Sequence, residues 1–493
     1  MIISHDLGTT GNKATLVDET GEVVSAVTVS YDTNFAQGGK AEQNPVEWWR
    51  ALCEATRQLL SEHPDAHIAG VCFSGQMMGA VLLDGSGEPV RPAIIWADTR
   101  STPQAAQLIE RVGMERGYAI TGHRLNATYS LSKVMWVRDN DPDAFARSRH
   151  VMCAKDYVAY RLTGVMATDP SDASGTNAYD QASGAWSDEL LEAAGIGDLF
   201  TEIVPSTHII GTVTADAATA TGLPAGTPVV MGGGDGPMAA LGCGIVSAES
   251  GAYAYLGSSS WVSFAADAPL HDPLMRTMTF NHVIPGKYVP TATMQAGGAS
   301  VQWIVEALEP GDSAAYGTLL DAAASASASV DDLYFLPHLL GERSPYWNPR
   351  ARAAFIGLAR HHDRGNLVRA VVEGVAFNLY TGLEAFTSTG ARIDSIDAIG
   401  GAANSAPLLQ VFSDVWGLPI RRRALVDEAT SLGAAVVGGV AVGLFDDFAM
   451  AGRMSDLRGE FTPDTVAHEK YVASHARFLD AYLRIEPWFE GAP

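Results

Sequence analysis

The chain has 493 residues, 47% of them hydrophobic and 18% charged, and a formal net charge of −24. That length exceeds what one simple core organises, so two domains are expected, and the composition excludes long disordered tracts. The excess of acid excludes a broad nucleic-acid or anionic-membrane footprint, which needs clustered Lys and Arg.

The opening segment, MIISHDLG, lacks the basic and long apolar regions of a signal peptide. A first strand covers Ile2 and Ile3, Asp6-Leu7-Gly8-Thr9-Thr10 follows, and a second strand runs from Ala14 to Val17. Asp18 to Gly21 is a turn, and Glu22 to Val29 returns as a third strand. Asn44-Pro45-Val46-Glu47 starts a helix, with Asn as N-cap and Pro at the first helical position. It runs through Trp48 and Trp49, which pack it, to about Leu60. Ile68 to Phe73 is a strand that empties into Ser74-Gly75-Gln76.

Further on, the apolar run Thr227 to Val230 leads to GGGDGPM (Gly232 to Met238), where Asp235 stands alone among glycines. Near the midpoint, Tyr253 to Tyr255, then Leu256-Gly257-Ser258-Ser259-Ser260, then Trp261 to Phe264 repeat the pattern of the N-terminus. Leu256 lies 249 positions after Leu7, about half the chain. Either chance or an internal duplication accounts for this, the latter giving two domains that each open with a hairpin. Asn366 to Phe386 carries a helical stripe of Leu367, Val371, Val375 and Leu379. Ser395 to Ile399 is a strand ending in Gly400-Gly401-Ala402-Ala403-Asn404 before a helix from Pro407 to Trp416. Arg421 to Arg423 reads as a solvated turn, and Leu432 to Phe445 as a buried helix packed through small residues, too short to cross a bilayer. The four scattered cysteines form no disulfide framework or zinc pattern, and a cytoplasmic location is expected. Strands alternating with glycine loops and helices define an α/β protein whose ligands sit at strand ends.

Three loops combine glycine with small hydroxyl or amide side chains: Asp6 to Lys13, Leu256 to Trp261 and Gly400 to Ser405. Such loops are either plain turns or phosphate cradles, since glycine lets backbone N–H groups approach an anion. No P-loop is present, and the dinucleotide-type spacing Gly234 to Ala239 contains a proline and an acid that would face a pyrophosphate. Asp6 and Asp235 both follow a strand and precede glycine. Each caps a turn, or the two serve phosphoryl transfer, which needs one carboxylate at the metal and another to accept the hydroxyl proton.

Six stretches in chain order settle the comparison: DLGTTGNK (Asp6 to Lys13), GQMMGAVLLD (Gly75 to Asp84), RPAIIWADTR (Arg91 to Arg100), KDYVAYRLTG (Lys155 to Gly164), TDPSDASGT (Thr168 to Thr176) and GGGDG. Together with Phe355 to Phe377 they resemble the FGGY carbohydrate kinases over nearly the whole chain. Within that family, EQNPVEWW (Glu42 to Trp49), SGQM (Ser74 to Met77), RPAIIWADTR and TDPSDASGT are similar to the xylulokinase branch.

The resemblance implies two actin-like domains of the ribonuclease H-like or hexokinase type with a catalytic cleft between them. Residues 1–246 would form the sugar and phosphate-hairpin domain, and 247–493 the nucleotide domain. It implies transfer of the γ-phosphoryl group of ATP, with Mg2+, to a sugar hydroxyl, D-xylulose above all. Asp235 is cast as base, Asp6 as the acid beside phosphates, and both as neighbours of the metal. Thr9, Thr10 and Lys13 would line the phosphate hairpin; Gln76, Met77, Met78 and Trp96 fall where the family places sugar contacts. Gly257, Ser258, Gly297, Gly298, Gly401, Ala402 and Asn404 match the nucleotide side. On this reading the Gly232–Gly234 run is bare so that substrates can approach Asp235.

Two departures bear on the acceptor. Xylulokinases usually carry His where this chain has Met78, and an amide side chain where it has Gly236. A ribulose, a tetrulose or erythritol, or a gluconate-like aldonate therefore stays open as substrate. A rival of another class keeps the fold as an actin-like ATPase module without sugar chemistry. Homodimerisation is a family-level expectation.

Overall fold

The computed structural model describes residues 1–312, 315–424 and 428–491. Its frame is two seven-stranded sheets. The first contains β1 (Ile2–Leu7), β2 (Gly11–Val17), β3 (Val23–Ser30), β4 (Gly70–Gly75), β5 (Ile209–Thr212), β6 (Pro228–Val230) and β7 (Gly233–Gly234). The second contains β8 (Ala252–Leu256), β9 (Ser260–Phe264), β10 (Met278–Asn281), β11 (Tyr288–Met294), β12 (Ile396–Ile399), β13 (Ile420–Arg423) and β14 (Leu457–Phe461).

Strand order in the first sheet is β5-β6-β4-β1-β2-β3, with β7 also on β4; in the second it is β10-β11-β9-β8-β12-β13-β14. Both therefore have the same centre. An antiparallel hairpin, β1–β2 or β8–β9, extends through a third antiparallel strand. On its other flank the first strand meets a parallel neighbour, β4 or β12, and then another parallel strand, β6 or β13. Leu7 and Leu256 end the two equivalent strands β1 and β8, which is what a duplicated unit predicts.

Helix α1 (Pro45–Glu62) covers one face of the first sheet. Its Asn44 cap accepts the Val46 N–H at 3.1 Å, and Trp48 is buried. The long helix α5 (Arg364–Ser388) packs into the core of the second sheet. The other face of the first sheet is covered from far along the chain by α6 (Ala429–Ala441), whose Leu432, Ala435 and Val436 cluster with Ile2, Cys72 and Val230. Small residues make this possible. A Cβ on Gly433 would stand 2.1 Å from the Met238 carbonyl oxygen, so only glycine lets α6 lie on α4 (Asp235–Gly242).

Arg421 to Arg423 is not a solvated turn but part of β13, in register with β12. The cause is the fully buried Asp397, which takes the guanidinium groups of Arg421 and Arg423 on one face of the sheet.

Candidate active site

Sheet register brings the two acids together. Asp6 stands opposite Ser74 on one side of β4, and Gly233 stands opposite the same Ser74 on the other. Strands are about 4.8 Å apart, so β1 and β7 lie roughly 10 Å apart with β4 between them. Asp235 follows β7 at once, as the first residue of α4 rather than as part of a loop. Both residues are half-buried and lie at the carboxyl ends of parallel strands.

The charge of Asp6 bears on Asp235. Burial, reinforced by the charge of Asp6, pushes the Asp235 carboxyl up to about 7. The Gly236 N–H, donating to Asp235 Oδ1 at 2.8 Å, and the backbone N–H of Asp235 itself oppose this. Burial also raises the Asp6 pKa, against hydrogen bonding from Thr430 and the charge of Lys13. Thr430 Oγ1 donates to Asp6 Oδ2 at 2.6 Å, and Asp6 Oδ1 is buried with no hydrogen-bond partner. Two neighbouring half-buried carboxylates, one with a buried orphan oxygen, form a donor set suited to a hard divalent cation.

Beside them lies a cavity of about 260 Å³ between the two halves. The first half contributes Thr9, Met77, Met78, Trp96, Asp235 and Gly236; the second supplies Tyr253, Tyr255, Trp261, Gln295 and Arg343 among others. Trp96 Nε1 donates to Thr9 Oγ1 at 3.0 Å, tying the β1–β2 hairpin to the cavity wall. Met78 adopts a left-handed backbone, φ 63°, stabilised by Lys133 Nζ donating to its carbonyl at 2.7 Å and by Ser130 Oγ donating to Gly79 O at 2.7 Å. Tyr255 stacks on Trp261 with ring centres 4.1 Å apart.

Gln76 lies outside this lining. It is buried behind the hairpin, donating to Gln43 Oε1 at 2.7 Å and Gly8 O at 3.3 Å, while Gln43 donates to Thr9 O at 2.6 Å. Its place is that of a support under the hairpin. In the hairpin itself Thr10 is exposed, and Lys13 Nζ sits 3.1 Å from Glu428 Oε1, just before α6. On the second sheet the glycine loops converge. The Gly298 N–H donates to Gly257 O at 2.8 Å, and Ala299 N–H to Ser258 O at 3.1 Å. A Cβ on Gly400 would stand 3.0 Å from the Leu256 carbonyl. Ser258, Gly401 and Asn404 are exposed around that junction, with Gly297 buried beneath and Ala402 half-buried.

The bareness of the 232–234 run has a different cause from the one expected. A Cβ on Gly232 would meet Phe73 O at 2.0 Å, on Gly233 Val283 Cγ1 at 2.5 Å, and on Gly234 Met77 Sδ at 2.5 Å. The protein's own packing, not an approaching substrate, fills that space.

Sequence reasoning did not single out Thr430, Tyr253, Tyr255, Trp261 or Gln295. Thr430 meets Asp6 across a separation of 424 residues, which no local pattern signals. Arg343 also lines the cavity, and its Nε is buried without a hydrogen-bond partner.

Two sheets of one duplicated topology, with a paired-carboxylate site between them, define a two-domain kinase of the actin-like, hexokinase type. The sequence comparisons give the family. Residues 1–242 match the N-terminal domain and residues 252–442 the C-terminal domain of the FGGY family of carbohydrate kinases. The chain belongs to that family. It is 32% identical over 488 residues to a xylulose kinase of Escherichia coli, covering 99% of each chain. The structure superposes on a ligand-bound xylulose kinase from Lactobacillus acidophilus with a TM-score of 0.94, at 25% identity and 98% coverage of both. It is equally similar to a gluconate kinase from the same organism, TM-score 0.94, at 26% identity and 98% coverage of both chains. The protein is a carbohydrate kinase that phosphorylates a sugar hydroxyl.

Proposed function

We propose that this kinase converts D-xylulose and ATP to D-xylulose 5-phosphate and ADP, in the cytoplasm. The observation that supports the chemistry is Asp235: a half-buried carboxylate on the wall of a sugar-sized cavity, poised near neutrality at about 7. A general base works best at that value. Asp235 takes the proton of the acceptor hydroxyl, and the oxygen so freed bonds to the γ-phosphorus. The bond from that phosphorus to the β,γ-bridging oxygen breaks, ADP leaves, and Asp235 returns its proton to solvent. Thr9, Thr10 and Lys13 face the phosphates, while Gly257, Ser258, Gly297, Gly298, Gly401, Ala402 and Asn404 receive the rest of the nucleotide. A divalent cation, Mg2+ in this reading, neutralises phosphate charge when bound, and Asp6 with Asp235 are the carboxylates that would hold it.

Met77, Met78 and Trp96 form the acceptor wall, with Gln76 holding the hairpin from behind. The halves divide at 246/247 in chain order, with α6 crossing back to complete the first sheet. The preference for D-xylulose is supported by the xylulose kinases among the relatives. A carboxylated polyol such as gluconate is the second reading. It is favoured by Arg343, which lines the cavity and has no ion-pair partner among the described residues, and by the apolar Met78. Coupled ADP release measured over ketopentoses, tetruloses, pentitols and aldonates decides between them. D-xylulose giving the highest kcat/KM supports the first reading; an aldonate exceeding it replaces that reading with the second.

A further inference from the structure

The stretch Thr168 to Thr176 supplies no residue to the cavity, yet it reaches the catalytic acid from behind. It forms a short helix, α3 (Pro170–Ser174), capped by the fully buried Asp169. That carboxylate accepts the Ser171 N–H at 3.0 Å and the Asp172 N–H at 3.3 Å, as a cap does. It also accepts Ser171 Oγ–H at 2.6 Å and Ser206 Oγ–H at 2.7 Å, and pairs at 3.0 Å with Nζ of Lys155, from helix α2 (Ala154–Thr163). The single hydroxyl proton of Ser171 is thus committed to Asp169. Its lone pairs face the Gly234 N–H, which donates to Ser171 Oγ at 2.9 Å.

Gly234 immediately precedes Asp235, and the flanking residues 232–234 and 236 have no side chains to lock the backbone. The position of the acid is therefore set by what holds those peptide groups. The Gly232 N–H is held by Ser206 O at 3.0 Å, and the Gly234 N–H by Ser171. Glycine at 233 is needed for this contact, since a Cβ there would stand 2.7 Å from Ser171 Oγ.

The support beneath is dry and charged. Lys155 Nζ lies 2.6 Å from Asp156 Oδ1 and 3.2 Å from Asp172 Oδ2 in addition to Asp169, and all four side chains are buried. Breaking such a cluster leaves a buried charge unpaired, so it holds α3 in one place. Lys155 also packs on Gly75 in β4, the strand between the two catalytic acids, and Ser174 Oγ accepts the Asn281 N–H of the second sheet at 3.0 Å. The helix is braced on both halves of the molecule.

We propose that Ser171 is a positioning residue for phosphoryl transfer, fixing the peptide group that presents Asp235; this rests on the base role given to Asp235 above. Displacement of a reacting group by about 1 Å costs on the order of 10²-fold in rate. Ser171→Ala is expected to lower kcat by roughly 10- to 100-fold while the sugar KM and ADP dissociation constant stay within about twofold. In an Asp235→Asn background the same change is expected to alter residual turnover by less than about twofold, because its route through the acid is already gone. Equal fold-losses in both backgrounds, or a kcat within twofold of the parent, overturn the proposal. Ser171→Thr keeps the hydroxyl and is expected to stay within about threefold of the parent; a loss matching that of Ser171→Ala overturns it. Amide exchange in the unaltered protein needs no variant: slow exchange at Gly234 supports the contact, and exchange at the rate of an unstructured amide refutes it. Full activity in Asp235→Asn alone would instead sink the base assignment, a failure distinct from that of Ser171.

Discussion

In its proposed role as base, Asp235 meets two demands that oppose each other. A base needs to be ionised, yet burial and the nearby Asp6 penalise its charge. Turnover should therefore fall as pH drops below about 7, with log(kcat/KM) losing one unit per pH unit as Asp235 takes up its proton. A profile flat down to pH 5 would contradict this. The same cost appears in stability. Because the folded pKa lies above the unfolded value of 3.8, the stabilisation is complete below about pH 3.8 and lost as pH rises through about 7. Asp235→Asn, which carries no charge to desolvate, should raise the thermal midpoint at pH 8. A gain of about 1 kcal/mol corresponds to about 2–4 °C in a domain of this size. At the neighbouring Gly236 there is room: a Cβ would find nothing nearer than Met77 Sδ at 4.0 Å. Gly236→Asn should therefore fold normally and lower the KM for D-xylulose by supplying a polar contact; an unchanged KM would show that the sugar does not reach this position.

At the scale of elements, the strands and helices were legible wherever local chemistry decides them. Asn44-Pro45 started α1 as written, and Leu7 and Leu256 closed equivalent strands. The Arg421–Arg423 segment misled because its strand depends on Asp397, buried in a strand 24 residues earlier. Gln76 and Thr430 show the same limit within the site. A glutamine after a strand end signals a ligand contact as readily as a buried support, and only Gln43 and Gly8 distinguish the two. Glycines were legible as close approaches, but not what approaches them. The α4–α6 contact makes this testable. Gly433→Ala drives a Cβ into Met238 O and should destabilise by about 1–3 kcal/mol, read as a lower thermal midpoint. Since α6 carries Thr430 to Asp6, kcat should fall with it. Unchanged stability would mean that the helices do not pack this closely.

In the whole molecule, the two sheets are related by topology but are not completed independently. The face of the first sheet formed by Ile2, Val17, Cys72 and Val230 is covered by residues 432–454. A fragment of residues 1–246 should consequently fail to give a cooperative unfolding transition, and adding the 428–491 segment in trans should not be matched by an unrelated helix. A fragment that melts cooperatively alone would show that α6 is dispensable. This return crossing links Asp6, Thr430, Lys13 and Glu428 into one junction, so the site belongs to both halves and sequence proximity could not reveal it. The most direct test of the account is sugar-dependent ADP release by the parent and by Asp235→Asn. D-xylulose should stimulate ADP release by the parent in proportion to sugar phosphorylated, and the variant should lose about 10²–10⁴-fold in kcat while still binding ADP. ADP release that ignores every sugar, or a variant that turns over like its parent, would contradict it.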